Sequence, residues 1–218
     1  MFMSPALLVL TMVRYVSQAF DILEPVDGGA MLKKIEAAGR TCYKSEHAIT
    51  ADSHVKFARM IVDNQHLSVI EHASISVKLV TSRGVTHELV RHRMASFSQE
   101  STRYCNYSKE KFSNEITVID KRPSFARDAD RKTWQGAMED AERHYMSLVR
   151  NGVSPQVARG VLPIDLKTEI IVTANLREWR HIIELRTSSA AHPDIRALMI
   201  DLLAAFKRLI PAVFDDLG

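Results

Sequence analysis

Apolar residues recur along this chain with two periods. Ile75, Val77 and Leu79 alternate with Ser76 and Lys78, a period of two that predicts a half-buried strand. Thr168, Ile170 and Val172 alternate with Glu169, Ile171 and Thr173 in the same way, and residues 116–119 read as a shorter strand. Elsewhere the spacing is helical. Ile195, Leu198, Met199, Leu202, Leu203, Phe206 and Ile210 form one stripe, a core face or a subunit interface. Leu176, Trp179, Ile182 and Ile183 form the apolar face of a helix introduced by Asn175, with Glu178 at the spacing of a capping box. Met138, Ala141, Tyr145 and Leu148 mark a long helix stopped at Asn151-Gly152.

The remaining elements are shorter. Residues 30–38 predict a helix ended by Gly39. Ser53 can cap a helix with Val55, Ala58, Ile61 and Val62 on one face. Gly84 breaks the first strand, and Val85, Leu89 and His92 share a face of a short helix that delivers Arg91 and Arg93 into the polar loop 96–101. Ser154-Pro155 reads as a helix start. Gly28-Gly29 and Lys121-Arg122-Pro123 read as loops. Helices and short strands mix without strict alternation, which predicts an α+β fold, a mixed or antiparallel sheet packed with several helices. No repeat or long linker divides it, so residues 1–218 read as a single domain. The run Ala-Leu-Leu-Val-Leu at 6–10 reads as a buried strand or an ordered start, and residues 1–14 read alternatively as a loose extension.

Composition narrows the class. The chain has 218 residues, 46% hydrophobic and 25% charged, the proportions of an ordinary globular protein. A net charge of +3 is too small to imply nucleic acid by itself, but suits a protein that handles anionic small molecules. Cys42 and Cys105 are the only cysteines; they cannot build a disulfide framework and suit a reducing, cytoplasmic setting. The run at 6–10 is too short to span a membrane and has no basic flank.

The densest chemistry lies at residues 91–103, Arg-His-Arg-Met-Ala-Ser-Phe-Ser-Gln-Glu-Ser-Thr-Arg. Arginine offers five donors in a rigid fork that suits phosphate oxygens. A guanidinium and a phosphate about 4 Å apart attract by roughly 4 kcal/mol at an effective dielectric near 20. The segment therefore suggests a site for phosphorylated ligands, although a solvated basic helix end could also carry the bare Arg-His-Arg triplet. Zinc is rejected. His87 and His92 are five residues apart, about 140° round a helix of 3.6 residues per turn, where one-face ligation needs four. Cys105 lies near Arg103, where a cation could lower a thiol pKa, but a small buried residue is the commoner role. Ser101 lacks a nucleophile elbow and an identifiable acid for a triad with His92. A different class remains open: a non-catalytic nucleotide or nucleic-acid binder using the Arg91 to Arg103 strip, with Phe97, Tyr104 and Tyr107 stacking bases.

Arg-His-Arg, seven residues and then Ser101 resembles the signature of the flavin-dependent thymidylate synthases, the ThyX family. Glu88-Leu89-Val90 leads into Arg91 as it does there. His66-Leu67-Ser68-Val69-Ile70-Glu71-His72 is similar to the family's His-x-Ser/Thr-x-x-Glu-His flavin segment. Ala158-Arg159-Gly160-Val161-Leu162-Pro163 resembles its Ala-Arg-x-x-Leu-Pro segment, and Asn175-Leu176-Arg177 with Leu185-Arg186 resembles its later flavin and nucleotide segment. The resemblance implies a fold of the ThyX type and a homotetramer with active sites at subunit interfaces. It implies no membrane or nucleic-acid partner and no metal. It also implies conversion of dUMP to dTMP, with 5,10-methylenetetrahydrofolate as carbon donor, FAD as the hydride-carrying cofactor and NADPH as reductant. On the same ground Arg91, His92, Arg93, Gln99, Asn175, Arg177 and His181 would contact FAD, Ser68 and Glu71 would support it, and His66 would face its ring. Glu88, Arg91, Gln99, Ser101, Arg103 and Arg159 would hold dUMP. Arg186, Ser101 and His66 would be the catalytic set, with Arg186 against the uracil. Residues 187–191 are longer than in some members, and His192 is assigned no role.

These residue types fit the reaction on physical grounds. C5 of uracil must become nucleophilic, by addition of a thiolate at C6 or by favouring the N3-deprotonated ring. A guanidinium beside the ring stabilises that anion, so Arg186 could activate C5 without covalent catalysis. The chain has no Gly-x-Gly-x-x-Gly fingerprint, in keeping with the resemblance, which implies FAD held by arginines and histidines contributed by several subunits.

Overall fold

The computed structural model describes residues 13–218. The apolar run at 6–10 and residues 1–12 of the extension read over 1–14 lie outside the described residues; its last two residues are ordered, Val13 buried and Arg14 paired in a strand with Thr117. In chain order the elements are β1 (Arg14–Val16), β2 (Ala19–Ile22), α1 (Gly28–Thr41), α2 (Ser53–Asp63), β3 (Ser74–Ser82), α3 (Arg83–Leu89) and β4 (Ser96–Gln99). They continue with β5 (Thr117–Ile119), α4 (Asp128–Arg150), α5 (Pro155–Ala158), β6 (Lys167–Asn175), α6 (Leu176–Thr187), α7 (Pro193–Leu209) and α8 (Pro211–Phe214). The class is α+β as predicted. The chain forms two compact units, one of residues 13–17, Thr81–Gly84 and Glu100–Thr168, the other of Gln18–Val80, Val85–Gln99 and Glu169–Gly218.

The larger unit is built on a four-stranded sheet in the order β2-β3-β6-β4. β2 is antiparallel to β3, and β4 to β6. Ile75, Val77 and Leu79 of β3 and Ile170, Val172 and Ala174 of β6 are buried on one face, as the alternation predicted. The other face carries Ser76 bonded to Thr173 and Lys78 paired with Glu169. The apolar sides of α1, α2, α6, α7 and α8 cover the buried face. The stripe from Ile195 to Ile210 is entirely buried in this core, so it serves as core within the chain. Trp179 is fully buried and donates its indole N–H to the Ile75 carbonyl at 2.9 Å.

The smaller unit pairs β1 with β5 in parallel and packs α4 against them. Met138 and Tyr145 are buried beside Ile116, Val118 and Leu166. Glu142, also buried, accepts the Ile116 N–H at 2.8 Å. Gly152, at φ +84, follows the end of α4, a left-handed position that favours glycine.

Tertiary packing overrides several local signals. α1 begins at Gly28 and runs through Gly39 to Thr41, so neither Gly28-Gly29 nor Gly39 is a break. A Cβ on Gly28 would collide with the Leu209 carbonyl, and one on Gly39 would lie 2.6 Å from Phe57 Cζ and 3.0 Å from Val69 Cγ1. Both glycines are present because α1 approaches its neighbours closely. Ser53 is the first residue of α2, not its cap; its hydroxyl accepts from Thr50 N and donates to the buried carboxylate of Glu36. Val55 lies on the exposed side of α2. Gly84 sits inside α3 rather than in a break, and its N–H donates to the Ile164 carbonyl.

Two glycine substitutions separate packing from propensity. Gly39→Ala should destabilise the protein by about 1–3 kcal/mol through overpacking. Gly136→Ala, at a helical position with no neighbour within 4 Å of the added methyl, should stabilise it by about 0.5–1 kcal/mol. Denaturant midpoints of the two variants check both signs.

Candidate active site

In the larger unit, Arg186 near the end of α6 is held at three points. Its Nε donates to Nε2 of His92 at 3.0 Å, one terminal nitrogen to Oε2 of Glu88 at 2.9 Å, and the other to the Glu88 carbonyl at 2.9 Å. Glu88 reaches this position from α3, and His92 from the turn just beyond it, where its N–H closes on the Leu89 carbonyl. His92 is buried, as its shared face with Val85 and Leu89 predicted. Because Arg186 can only donate, Nε2 of His92 must accept, and the ring proton sits on Nδ1. Nδ1 faces the Glu178 carboxylate at 3.6 Å, and the His181 ring packs edge-on at 5.6 Å. Burial, then the Arg186 charge and His181, push the His92 pKa down to about 4. His92 is therefore neutral at physiological pH, and its contact with Glu178 is ion–dipole in character. Burial raises the Glu178 carboxyl above its usual range, opposed by His181 and Arg177.

Beside this cluster lies an open cleft of about 700 Å³, a size that suits a small-molecule ligand. Glu71, Asn175, Arg177 and His181 line it, so four residues assigned to the flavin from sequence come together. Asn175 caps α6 by accepting the Glu178 N–H at 2.9 Å. The capping box is half realised: the Glu178 side chain turns to His92 and the cleft. Arg177 donates to Glu71 at 2.7 Å and remains about half exposed. His66 and Ser68 are exposed on the turn that carries Leu67 and Glu71 into the lining. Arg91 and Arg93 are exposed, and Gln99 donates to Thr86 at 2.9 Å.

Sequence reasoning missed part of this lining. Arg180 is buried, grips Asp216 through two bonds of 2.6 Å, and donates to the Val213 carbonyl. This pair fixes the C-terminal segment, whose Asp216 and Leu217 form one wall. Arg180's hydrogen bond and charge lower the Asp216 carboxyl below its usual range, outweighing burial. Residues 36 positions apart leave no local pattern from which the pairing could be read. Glu178 had a signal, but the capping position explained it away.

The smaller unit holds a second cluster. The Ser101 hydroxyl accepts the Arg103 N–H at 3.3 Å, while its carbonyl accepts from Tyr104 and Cys105. Arg159 donates to buried Thr102 at 3.1 Å. Three residues assigned to dUMP, Ser101, Arg103 and Arg159, thus gather at one turn. Glu100 supports that turn by accepting from Tyr107 at 3.0 Å and Lys167 at 3.1 Å. Glu88, Arg91, Gln99 and Arg186 belong to the larger unit.

Two alternative chemistries weaken. Burial, then Glu100, raises the Cys105 thiol pKa, the reverse of what a thiolate nucleophile needs. The base-stacking reading loses two of its three aromatics. Phe97 packs into the core from β4, and Tyr107 is buried with its hydroxyl on Glu100. Only Tyr104 is openly exposed, and Arg103 stacks on it at 5.5 Å.

An α+β unit with an open cleft lined by arginines, carboxylates and His181 presents a polar small-molecule site. Residues 29–212 match the family described as thymidylate synthase complementing protein. A flavin-dependent thymidylate synthase of Mycobacterium tuberculosis H37Rv is 39% identical over 206 residues, covering 87% of this chain and 80% of that one. One of Mycobacterium avium is 38% identical with the same coverage. A UMP/dUMP methylase of Streptomyces cacaoi, solved with 5-Br dUMP, shares the fold at a TM-score of 0.73 and 22% identity, covering 93% of this chain and 96% of that one. The chain belongs to the flavin-dependent thymidylate synthase family.

His92 gives a pH test of this geometry. The unfolded chain takes up its imidazole proton near pH 6.5 and the folded one near 4, so the unfolded state binds more protons between those values. The stability conferred by the neutral ring is complete above about 6.5, is lost as pH falls toward 4, and levels off below, by at most roughly 3 kcal/mol. Imidazole shifts in an NMR titration should show His92 titrating near 4.

Proposed function

We propose that the chain carries out the reaction for which its relatives are named, reductive methylation of dUMP to dTMP. The observation that carries this reading is Arg186, a guanidinium fixed by Glu88 and His92 beside a cleft lined by the flavin-segment residues. Arg186 spends three of its five N–H donors on these partners and keeps one on each terminal nitrogen for a ligand. Set against a uracil ring, they would stabilise negative charge as N3 loses its proton and so enrich C5. Cys105, with its raised pKa, is not needed.

The cleft's donor set fits a flavin dinucleotide. Arg177 is a half-exposed cation, Asn175 and His181 offer polar edges, and Glu71 orients Arg177. We assign FAD to Glu71, Asn175, Arg177 and His181, with Ser68, Arg91, His92, Arg93, Gln99 and His66 completing its surroundings. When bound and reduced by NADPH, FAD would supply the hydride that turns a one-carbon unit from 5,10-methylenetetrahydrofolate into a methyl group. The dUMP residues would be Ser101, Arg103 and Arg159 at their shared turn, with Glu88, Arg91, Gln99 and Arg186. Ser101 and His66 join Arg186 as the catalytic set. Arg103 and Arg159 would meet the phosphate, where a fork of donors is worth most.

We further propose a homotetramer with active sites at subunit interfaces, working in the cytoplasm. Val157, Val161 and Ile164 expose aliphatic surface in one short segment, the kind of surface that a partner covers. No helix among the described residues is long and apolar enough to cross a membrane.

The direct test is to denature purified protein and identify the released cofactor, then assay dTMP formation from dUMP. FAD in the supernatant and folate-dependent methylation are expected. Protein that neither contains nor takes up flavin would end this reading. A second test separates charge stabilisation from grip. Arg186→Ala should retain flavin and its reduction by NADPH yet lose about a hundredfold in turnover at saturating dUMP, on the order of 3 kcal/mol. Arg103→Ala and Arg159→Ala should raise the dUMP KM first. Full turnover of Arg186→Ala at high dUMP would reduce Arg186 to a binding residue.

A further inference from the structure

We propose that His92 is a positioning residue for Arg186: its neutral Nε2 holds the guanidinium so that the two remaining terminal N–H groups are presented to the uracil. This rests on reading Arg186 as the uracil contact, and it gives His92 a task beyond its place in the flavin's surroundings.

The argument starts from the three bonds on the guanidinium. Glu88 takes one N–H from each terminal nitrogen, by its carboxylate and by its carbonyl. His92 alone takes Nε, the atom where the planar head joins its flexible stem, so it sets the third point that fixes the plane.

The chemistry of that third partner matters. Glu88 already places one negative charge against Arg186 at 2.9 Å. A second carboxylate on Nε would cancel the field a uracil anion needs, and a cationic imidazole would offer no lone pair and would repel the guanidinium. A neutral acceptor meets both conditions. The groups around His92 keep it in that form. It is 5% exposed, Arg186 donates to it at 3.0 Å, the His181 ring is 5.6 Å away, and Glu178 lies 3.6 Å from Nδ1. Glu178 and His181 come from the same helix as Arg186, so one rigid element delivers the guanidinium and shapes the ring that orients it.

The test uses the flavin-loaded enzyme and two variants. His92→Gln places a neutral oxygen acceptor near the Nε2 position, and His92→Leu removes it. Leucine should cost ten- to a hundredfold in kcat with the dUMP KM changed less than threefold, and glutamine should recover turnover to within about fivefold of wild type. Turnover is taken per bound flavin, so that loss of cofactor is separated from loss of catalysis. With 5-fluorodeoxyuridylate as probe, ¹⁹F NMR should show the bound ring's N3 ionisation shifted to lower pH in wild type and His92→Gln, and unshifted in His92→Leu. Equal impairment of the two variants, or activity lost in proportion to flavin, overturns the proposal. If neither variant folds, ¹⁵N imidazole shifts of wild type decide it: His92 must be the Nδ1–H tautomer, and an Nε2–H signal refutes it. Wild-type protein that binds no flavin and methylates no dUMP would instead fail the functional reading itself, whatever the His92 tautomer.

Discussion

The indole N–H of Trp179, fully buried, donates to the carbonyl of Ile75. An unpaired indole there would leave a desolvated donor, at a cost of about 1–3 kcal/mol, so the bond and the burial of the ring select one rotation of α6. Leu176, Ile182 and Ile183 sink into the same core. Once that face is fixed, helical geometry leaves the other positions no choice. Arg177, Glu178, His181 and Glu184 fall along the cleft, and Arg186 falls against Glu88 and His92. The site is the polar remainder of a helix whose apolar side was settled by the sheet.

The cations of the two units are held by acceptors placed on separate elements. Arg177 meets Glu71 from a turn, Arg180 meets Asp216 from the C-terminal segment, Arg186 meets Glu88 from α3, and Lys167 meets Glu100 ahead of the Ser101 turn. Paired arginines lose less rotamer freedom when a ligand arrives, because their forks are already oriented. The same pairing limits the charge they can offer. The contrast between Arg180, spent on structure, and Arg186, with a terminal N–H left on each side, follows from how many acceptors surround each.

Local signals were reliable where one residue's neighbours in sequence were also its neighbours in space. The alternation in β3 and β6, the stripe of α7 and the Asn175 cap all belong to that class. They failed where a second element intruded. Gly39 looks like a helix stop, yet it lies inside α1 because Phe57 of α2 leaves no room for a methyl. Ser53 looks like a cap, yet its hydroxyl is taken by Glu36. Glu178 looks like the return half of a capping box, yet it faces a buried imidazole. Phe97 and Tyr107 look available for stacking, yet one is half-buried against the core and the other is tied to Glu100.

By itself the sequence determined the fold class, the strands and helices that carry the core, and the family, because periodicity and motif spacing are written in consecutive residues. It also placed Glu71, Asn175, Arg177 and His181 in one group, which the cleft brings together. Only the tertiary structure decided how the charges are matched. Arg186 and Glu88 are 98 positions apart, Arg186 and His92 are 94 apart, and Arg180 and Asp216 are 36 apart. The energy of such pairs depends on distance, on burial and on the number of acceptors within reach. Those quantities exist only once the sheet has fixed the rotation of α6, which is why the motif could name His92 but not its bond to an arginine 94 positions away.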